Sequence, residues 1–271
     1  MHTVRRFAVA VLAIMSLAAS APGARAQDSN AELAKKLANP IAALISVPFQ
    51  LNYDQDMGPA DGGERYTLNV QPVIPVSLNN DWNLISRTIV PVVNQDDIYP
   101  GAGSQFGIGD TVQSLFFSPK QPTASGWIWG AGPVFLLPTA TDNLLGADKW
   151  GIGPTAVALK QNGPVTFGAL INHIVSVAGD DDRSDINSTF LQPFYSYTTP
   201  TAWTFSVQAE ATYDWKSEQW NVPAAFQVSK VIKIGKQLAS VAFGPRYYLS
   251  STDNGPEGLG FRAAFVLMYP R

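Results

Sequence analysis

From residue 45 to residue 54 the chain reads Ile45-Ser46-Val47-Pro48-Phe49-Gln50-Leu51-Asn52-Tyr53-Asp54, apolar or aromatic at every odd position and polar or proline at every even one. The same period of two runs from Trp203 to Trp215, where Phe205, Val207, Ala209, Ala211 and Tyr213 alternate with Thr204, Ser206, Gln208, Glu210, Thr212 and Asp214. Successive side chains of a strand point to opposite faces, so each segment predicts a strand with one apolar and one mostly polar face. Residues 66–78 and 259–269 repeat the pattern.

Twelve such segments follow one another, at about 43–55, 64–78, 82–95, 107–118, 126–139, 150–160, 164–177, 189–199, 202–215, 219–230, 237–250 and 259–270. Short turns at 79–81, 121–125, 161–163, 199–202 and 231–236 alternate with longer Gly- and Asp-rich loops, and one tight link, at 216–218, takes a loop's place. An up-and-down barrel of twelve strands with both termini on one side needs five turns there and six loops opposite, which is this count. The fold class expected is therefore all-β, an antiparallel transmembrane barrel of about twelve strands preceded by a short N-terminal helix.

Composition narrows the solvent. The 271 residues are 46% hydrophobic and 14% charged, where an ordinary soluble domain carries roughly 25% charge. That leaves an unusually uncharged soluble β protein or a barrel in lipid. All seven tryptophans (82, 127, 129, 150, 203, 215 and 220) fall at or near a predicted strand end. A bilayer favours amphipathic rings at its two interfaces, whereas a soluble core would hold most of them mid-strand. A soluble barrel turned inside out would share the same periodicity, so alternation alone does not choose between the two.

A net charge of -3 without a basic block excludes nucleic acid as a partner, and the absence of cysteine excludes disulfides and thiolate sites. Arg5 and Arg6, an apolar run from Phe7 to Ala19, and Ala24-Arg25-Ala26 have the layout of a secretory signal covering residues 1–26. Residues 27–42 then form a periplasmic segment, and 43–271 the barrel. Ser29-x-x-Glu32 has the form of a capping box opening a helix over Ala31 to Leu37, with Leu33 and Leu37 on one face. Nine prolines (48, 72, 75, 91, 133, 154, 193, 223 and 245) fall inside predicted strands of a fold that has no edge, so bulges are expected to absorb them.

Several stretches carry a resemblance. Leu37-Ala38-Asn39-Pro40-Ile41-Ala42-Ala43-Leu44-Ile45-Ser46-Val47-Pro48, Asn69-Val70-Gln71-Pro72-Val73-Ile74-Pro75, Asp81-Trp82-Asn83-Leu84-Ile85-Ser86-Arg87-Thr88, Gly107-Ile108-Gly109-Asp110-Thr111, Pro138-Thr139-Ala140-Thr141 and Arg246-Tyr247-Tyr248 are similar to a bacterial outer-membrane transporter family. That family is related to the proteins of the meta-pathway of phenol degradation, and the match covers most of the chain after residue 26. The resemblance implies an outer-membrane barrel passing small, often aromatic, molecules, and no catalytic residue. The C-terminal Pro270-Arg271 departs from the aromatic ending common among such barrels.

Geometry bounds a lumen. Twelve strands about 4.8 Å apart and tilted near 40° enclose a backbone diameter of about 24 Å, leaving roughly 10 to 12 Å between side chains. An arginine facing lipid at the midplane would cost about 2–4 kcal/mol, so Arg87, Arg246 and Arg262 are expected to point inward. Alternation adds Asn52, Asp54, Asn69, Gln71 and Glu210 to the lumen. Closure sets the last strand beside the first and brings Arg246 and Arg262 near Asp54 and Asn52. A mixed-charge constriction results, either a weak solute filter or a brace.

The function expected is passive passage of small solutes, with outer-membrane lipid and lipopolysaccharide as surroundings, no cofactor, no metal and no assigned oligomeric state. Two alternatives stand beside it: a phospholipase-type barrel enzyme and a structural or adhesive barrel. An enzyme would need His173, the one histidine after residue 26, and Ser176 lies an odd number of residues away, on the opposite face.

Overall fold

The computed structural model describes residues 24–269; the signal assigned to residues 1–26 lies outside these apart from its last three residues. A helix, α1 (Ala24–Leu37), leads into fifteen antiparallel strand segments. These are β1 (Ile45–Met57), β2 (Gly63–Val70), β3 (Val73–Ser77), β4 (Trp82–Asp96), β5 (Ser104–Ile108), β6 (Thr111–Pro119), β7 (Trp127–Leu137), β8 (Lys149–Asn162), β9 (Val165–Gly179), β10 (Asn187–Thr198), β11 (Trp203–Ala209), β12 (Ala211–Asp214), β13 (Gln219–Ile234), β14 (Gln237–Ser250) and β15 (Glu257–Tyr269).

Three walls are each made of two segments, β2/β3, β5/β6 and β11/β12, so the fifteen segments form twelve barrel strands. Each pairs with its sequence neighbour, and β1 closes the ring on β15 in a register running from Ile45–Tyr269 to Tyr53–Phe261. Both described ends of the chain meet at the side of the short turns. Two-residue turns at 163–164 and 235–236 each begin with a glycine at positive φ, 57° and 60°, where an L side chain would be strained.

The prolines explain the interruptions. Pro72 follows the break at Gln71, whose N–H reaches the Pro48 carbonyl at 2.8 Å. Gly109 N–H reaches the Pro91 carbonyl at 2.9 Å across the β5/β6 break, and Glu210 N–H reaches Pro223 at 2.8 Å across the β11/β12 break. Elsewhere the expected bulges are mostly replaced by missing rungs. The β6–β7, β8–β9 and β13–β14 ladders skip two positions and resume in the same register, at Gly132-Pro133, Gly153-Pro154 and Gly244-Pro245. Each proline lacks the donor a rung needs. The preceding glycine lets the neighbouring backbone close in: a Cβ there would sit 2.0, 1.6 or 1.8 Å from the carbonyl oxygens of Leu115, His173 and Phe226.

Polarity is inverted relative to a soluble protein. Trp127, Phe167, Phe205, Phe226, Phe243 and Tyr247 face outward and exposed, while Asn52, Asp54, Gln95, Thr155, Thr166 and Arg262 face inward and buried. Tryptophans 82, 127, 129 and 203 ring the turn end, and 150, 215 and 220 ring the loop end. Trp82 meets Trp129 edge-on at 5.8 Å, and Tyr213 lies 4.8 and 4.9 Å from Trp215 and Trp220. Strand rise and tilt put the two girdles about 20 to 30 Å apart, against the ~25 Å apolar band of a membrane barrel.

The open lumen of 10 to 12 Å expected from strand count is not what the interior holds. On the β4–β9 side Ile85, Phe116, Val157, Leu159 and Leu170 fill it, with Ile41 from the segment after α1 packed among them. At the turn end Leu33, Ala34, Ala42 and Leu44 form a second cluster with Ala202, Val231 and Met268, laying α1 across the mouth. Gln161 Nε2–H bonds the Lys35 carbonyl at 2.9 Å. The helix starts at Ala24, upstream of Ser29, so the expected capping box lies inside the helix, where Glu32 pairs with Lys35 at 2.7 Å instead. The run Ala24-Arg25-Ala26 consists of strong helix formers, which extends the helix backwards.

Candidate functional site

The polar side of the interior is built by β10 to β3, where even-numbered residues of β1, β10, β11, β14 and β15 and odd-numbered residues of β2, β3 and β13 point inward. Arg262 on β15 is its most buried member, at 1% exposure. Its Nη1–H and Nη2–H donate to the two Glu210 carboxylate oxygens at 2.7 Å each, and Nε–H donates to Asn52 Oδ1 at 2.7 Å. Two parallel charge-assisted bonds fix both partners' geometry. Glu210 also lies 3.9 Å from Arg246 and accepts from Gln208 at 3.0 Å.

Arg246 on β14 donates to Asp54 and, at 2.7 Å, to the Tyr248 hydroxyl, with its guanidinium 4.9 Å from that ring's centre. The four ionic groups Asp54, Glu210, Arg246 and Arg262 thus form one connected layer spanning β1, the β11/β12 break, β14 and β15. Glu210 itself occupies the β11/β12 break, its N–H bonded to the Pro223 carbonyl.

Arg87 is separate. Its Nη2–H donates to Gln71 Oε1 at 3.0 Å, and among the described residues no carboxylate lies within 4.0 Å of it. Asn69 pairs across the ladder with Gln50 on the same inward row, outside the ionic layer. Of the expected lumen residues, the structure therefore gathers Asn52, Asp54, Glu210, Arg246 and Arg262, pairs Arg87 with Gln71, and leaves Asn69 apart.

Sequence reasoning missed Arg65, which sits across from Asp54 in the β1–β2 register and donates to Gln95 at 2.9 Å; Gln95 in turn donates to Gln105 at 3.0 Å. The signal was present: Arg65 shares its parity with Asn69 and Gln71, and the cost of an arginine in lipid applies to it equally. The role of α1 and Ile41 as filling had no such signal, because a helix ahead of the first strand carries no mark of where it docks.

Two adjoining cavities, of about 260 and 170 Å³, lie in the polar side of the interior. The larger lies between α1 and the ionic layer. The smaller continues beneath it and shares Leu37, Pro40, Pro48, Gln71, Arg87 and Val266 with it.

On the outer wall His173 Nδ1 lies 2.9 Å from Thr189 Oγ1, which also accepts from Trp215 Nε1–H at 2.9 Å. Ser176 points the other way, donating to Asp185 at 3.2 Å and accepting from Ile186 N–H at 3.1 Å. Among the described residues no group of three His, Cys, Asp or Glu is arranged to hold a metal ion.

No family model matches the sequence, and no curated protein matches it significantly. Solved structures do. The COG4313 outer membrane channel from Pseudomonas putida F1 superimposes with a TM-score of 0.67 at 15% identity, over 85% of this chain and 96% of that one. Outer membrane phospholipase A from Escherichia coli gives 0.47 at 11% over 83% and 92%, and a Pseudomonas aeruginosa FadL homologue 0.31 at 11% over 76% and 68%. At these identities the likeness is one of fold, and it makes the chain a twelve-strand barrel of the bacterial outer-membrane type.

Proposed function

We propose that this chain is an outer-membrane channel for passive passage of small molecules, aromatic or hydrophobic ones included, exported by the signal at residues 1–26. One observation carries the reading: a polar, arginine-bearing interior with cavities of about 260 and 170 Å³ inside a wall whose exposed residues are apolar. A structural or adhesive barrel has no need of interior space beside a buried cation. The outward face then meets outer-membrane lipid and lipopolysaccharide, α1 lies at the periplasmic mouth, and residues 27–42 are its periplasmic segment. The resemblance to the family related to phenol meta-pathway proteins is what points to a small aromatic solute, and the filled interior is in keeping with slow passage.

Swelling of proteoliposomes in a panel of small sugars, amides and aromatic acids tests this. Uptake that falls steeply with solute size is expected; failure of every member to enter would favour the structural or adhesive barrel.

A phospholipase-type reading draws on the His173–Thr189 contact, since a hydroxyl and an imidazole within reach are the start of a nucleophile and base pair. Among the described residues no acidic or amide group hydrogen-bonds the other ring nitrogen to orient it. Lipid hydrolysis by the purified protein that vanishes in His173→Ala would establish that reading; its absence in both would remove it.

A further inference from the structure

The cavity above α1 is lined by one charged residue. Its floor is apolar, from Leu37, Pro40, Pro48 and Val266, and its walls are hydroxyls and amides such as Ser206, Ser240, Gln208 and Gln227. Arg87 closes one side and keeps part of its surface open to the cavity. Of the five N–H donors a guanidinium carries, one is given to Gln71 at 3.0 Å, and among the described residues no carboxylate comes within 4.0 Å of it, Glu210 acting on its charge only from further away. Arg246 and Arg262, by contrast, are matched to carboxylates. A buried cation with no carboxylate in contact is costly, and a carboxylate arriving in a bidentate pose relieves that cost.

We propose that this cavity is a binding chamber for a small organic monocarboxylate, held by Arg87 with its apolar body on the α1 floor. Size sets the class: a dry cavity of about 150 Å³ holds a benzene molecule, so one of about 260 Å³ takes a single ring and its carboxylate. Charge sets it too, since one guanidinium matches one negative charge. The second cavity leads from Arg87 to Lys36, and these two cations are the charged residues that line it, with no acid between them. Lys36 is exposed at the turn end, which makes it a second, weaker station on the way past α1; such multi-site binding is what lets a solute enter and also leave.

The inference deepens the transport reading and rests on it for passage alone; binding stands by itself. Calorimetric titration of the full-length processed protein in detergent with benzoate, and with its neutral isostere benzamide, tests it. Benzoate is expected to bind at least 10-fold more tightly than benzamide. Arg87→Gln should weaken benzoate about 10- to 100-fold, the equivalent of one charge-assisted hydrogen bond, and weaken benzamide by less than about 3-fold, since only a neutral hydrogen bond is exchanged there, while Arg87→Lys retains most of the benzoate affinity. Should Arg87→Gln fail to fold, Ala264→Phe fills the chamber without touching the charge and must abolish benzoate binding. Equal binding of the two ligands, no binding of benzoate, or indifference to both variants would overturn the chamber. Swelling with arabinose separates the two readings: arabinose uptake without benzoate binding leaves a channel and no chamber, whereas binding without any uptake leaves a chamber in a closed barrel.

Discussion

Arg262 and Glu210 are joined by two parallel hydrogen bonds of 2.7 Å although Arg262 lies on β15 and Glu210 at the β11/β12 break. The pair bridges across the β13–β14 wall, and the arginine is 1% exposed. Glu210 is also within 3.9 Å of Arg246, so the carboxylate is the hub of the layer. The Arg262 guanidinium, with Nε, Nη1 and Nη2 each donating to Asn52 or Glu210, is held in place by its own partners. Such a layer would act as a brace, whereas Arg87, with no carboxylate within 4.0 Å among the described residues, lines both cavities.

Removing the hub should therefore cost stability before it changes permeability. Glu210→Ala strands the buried Arg262 guanidinium with Asn52 alone, and breaking a buried pair in this way costs roughly 3–5 kcal/mol. The double variant Glu210→Leu with Arg262→Met should recover most of the loss, because replacing both partners removes the uncompensated charge. The temperature at which the folded, detergent-resistant species disappears on gels measures both. Equal stability of Glu210→Ala and the parent would show that the layer is no brace.

The outer wall makes the opposite demand. Phe226, mid-strand on β13 and 47% exposed, faces lipid if the barrel spans a bilayer. Phe226→Arg should then lower the folding free energy in lipid vesicles by about 2–4 kcal/mol, whereas the same change at the loop end, as in Leu249→Arg, should cost about 0–1 kcal/mol. A soluble barrel would show no dependence on depth. Urea titration of vesicle-folded protein distinguishes the two.

Period-two alternation located the strands well because a wall with one apolar and one polar face imposes it: β14 spans Gln237–Ser250, the range the pattern predicts, and β1, β4 and β9 differ by about two residues. Parity plus closure set Arg246 and Arg262 beside Asp54 and Asn52, but placed Glu210 only in the lumen and not as the ionic partner of Arg262. The apolar filling was illegible for a physical reason. On β8 the inward Val157 and Leu159 alternate with the outward Ala156 and Ala158, so both faces are apolar and no contrast marks the inside. Nor does local patterning record that Ile41 will pack against Ile85 and Phe116, since that contact depends on where the chain re-enters the barrel after α1.

At the loop end a pH-dependent tether is expected. Asp185, in the loop between β9 and β10, lies 3.3 Å from Lys149 and accepts from Ser176 at 3.2 Å. Its hydrogen bond to Lys149, then that to Ser176, holds its carboxyl below the usual value of 3.8. A depressed folded-state value means the tether is fully present above pH 3.8 and is lost as pH falls through the lower, folded value. A spin label at Asp181→Cys should be immobile at neutral pH and still so at pH 3.8, and become mobile only as pH falls further, through the depressed folded value. In Asp185→Asn it should be mobile throughout. A label insensitive to both changes would show that this contact does not order the loop.

Helix α1 sets how closed the turn end is. Leu33 and Ala34 are buried against Ala202, Val231 and Met268, and the helix backbone is held by Gln161 through the Lys35 carbonyl. Ala34→Asp places an unpaired carboxylate in that apolar cluster, which the helix escapes by undocking, since leaving the mouth costs the barrel wall none of its ladder bonds. Single-channel conductance in planar bilayers should then rise at least about twofold, by the simple removal of an obstruction from a pore whose backbone diameter is about 24 Å. Heat resistance of the barrel should stay within a few degrees of the parent. Adding Gln161→Ala should enlarge the effect, because the second tether acts on the same helix. Unchanged conductance in the double variant would mean that current bypasses α1, and that Ile41 with its apolar neighbours, rather than the helix, sets the constriction.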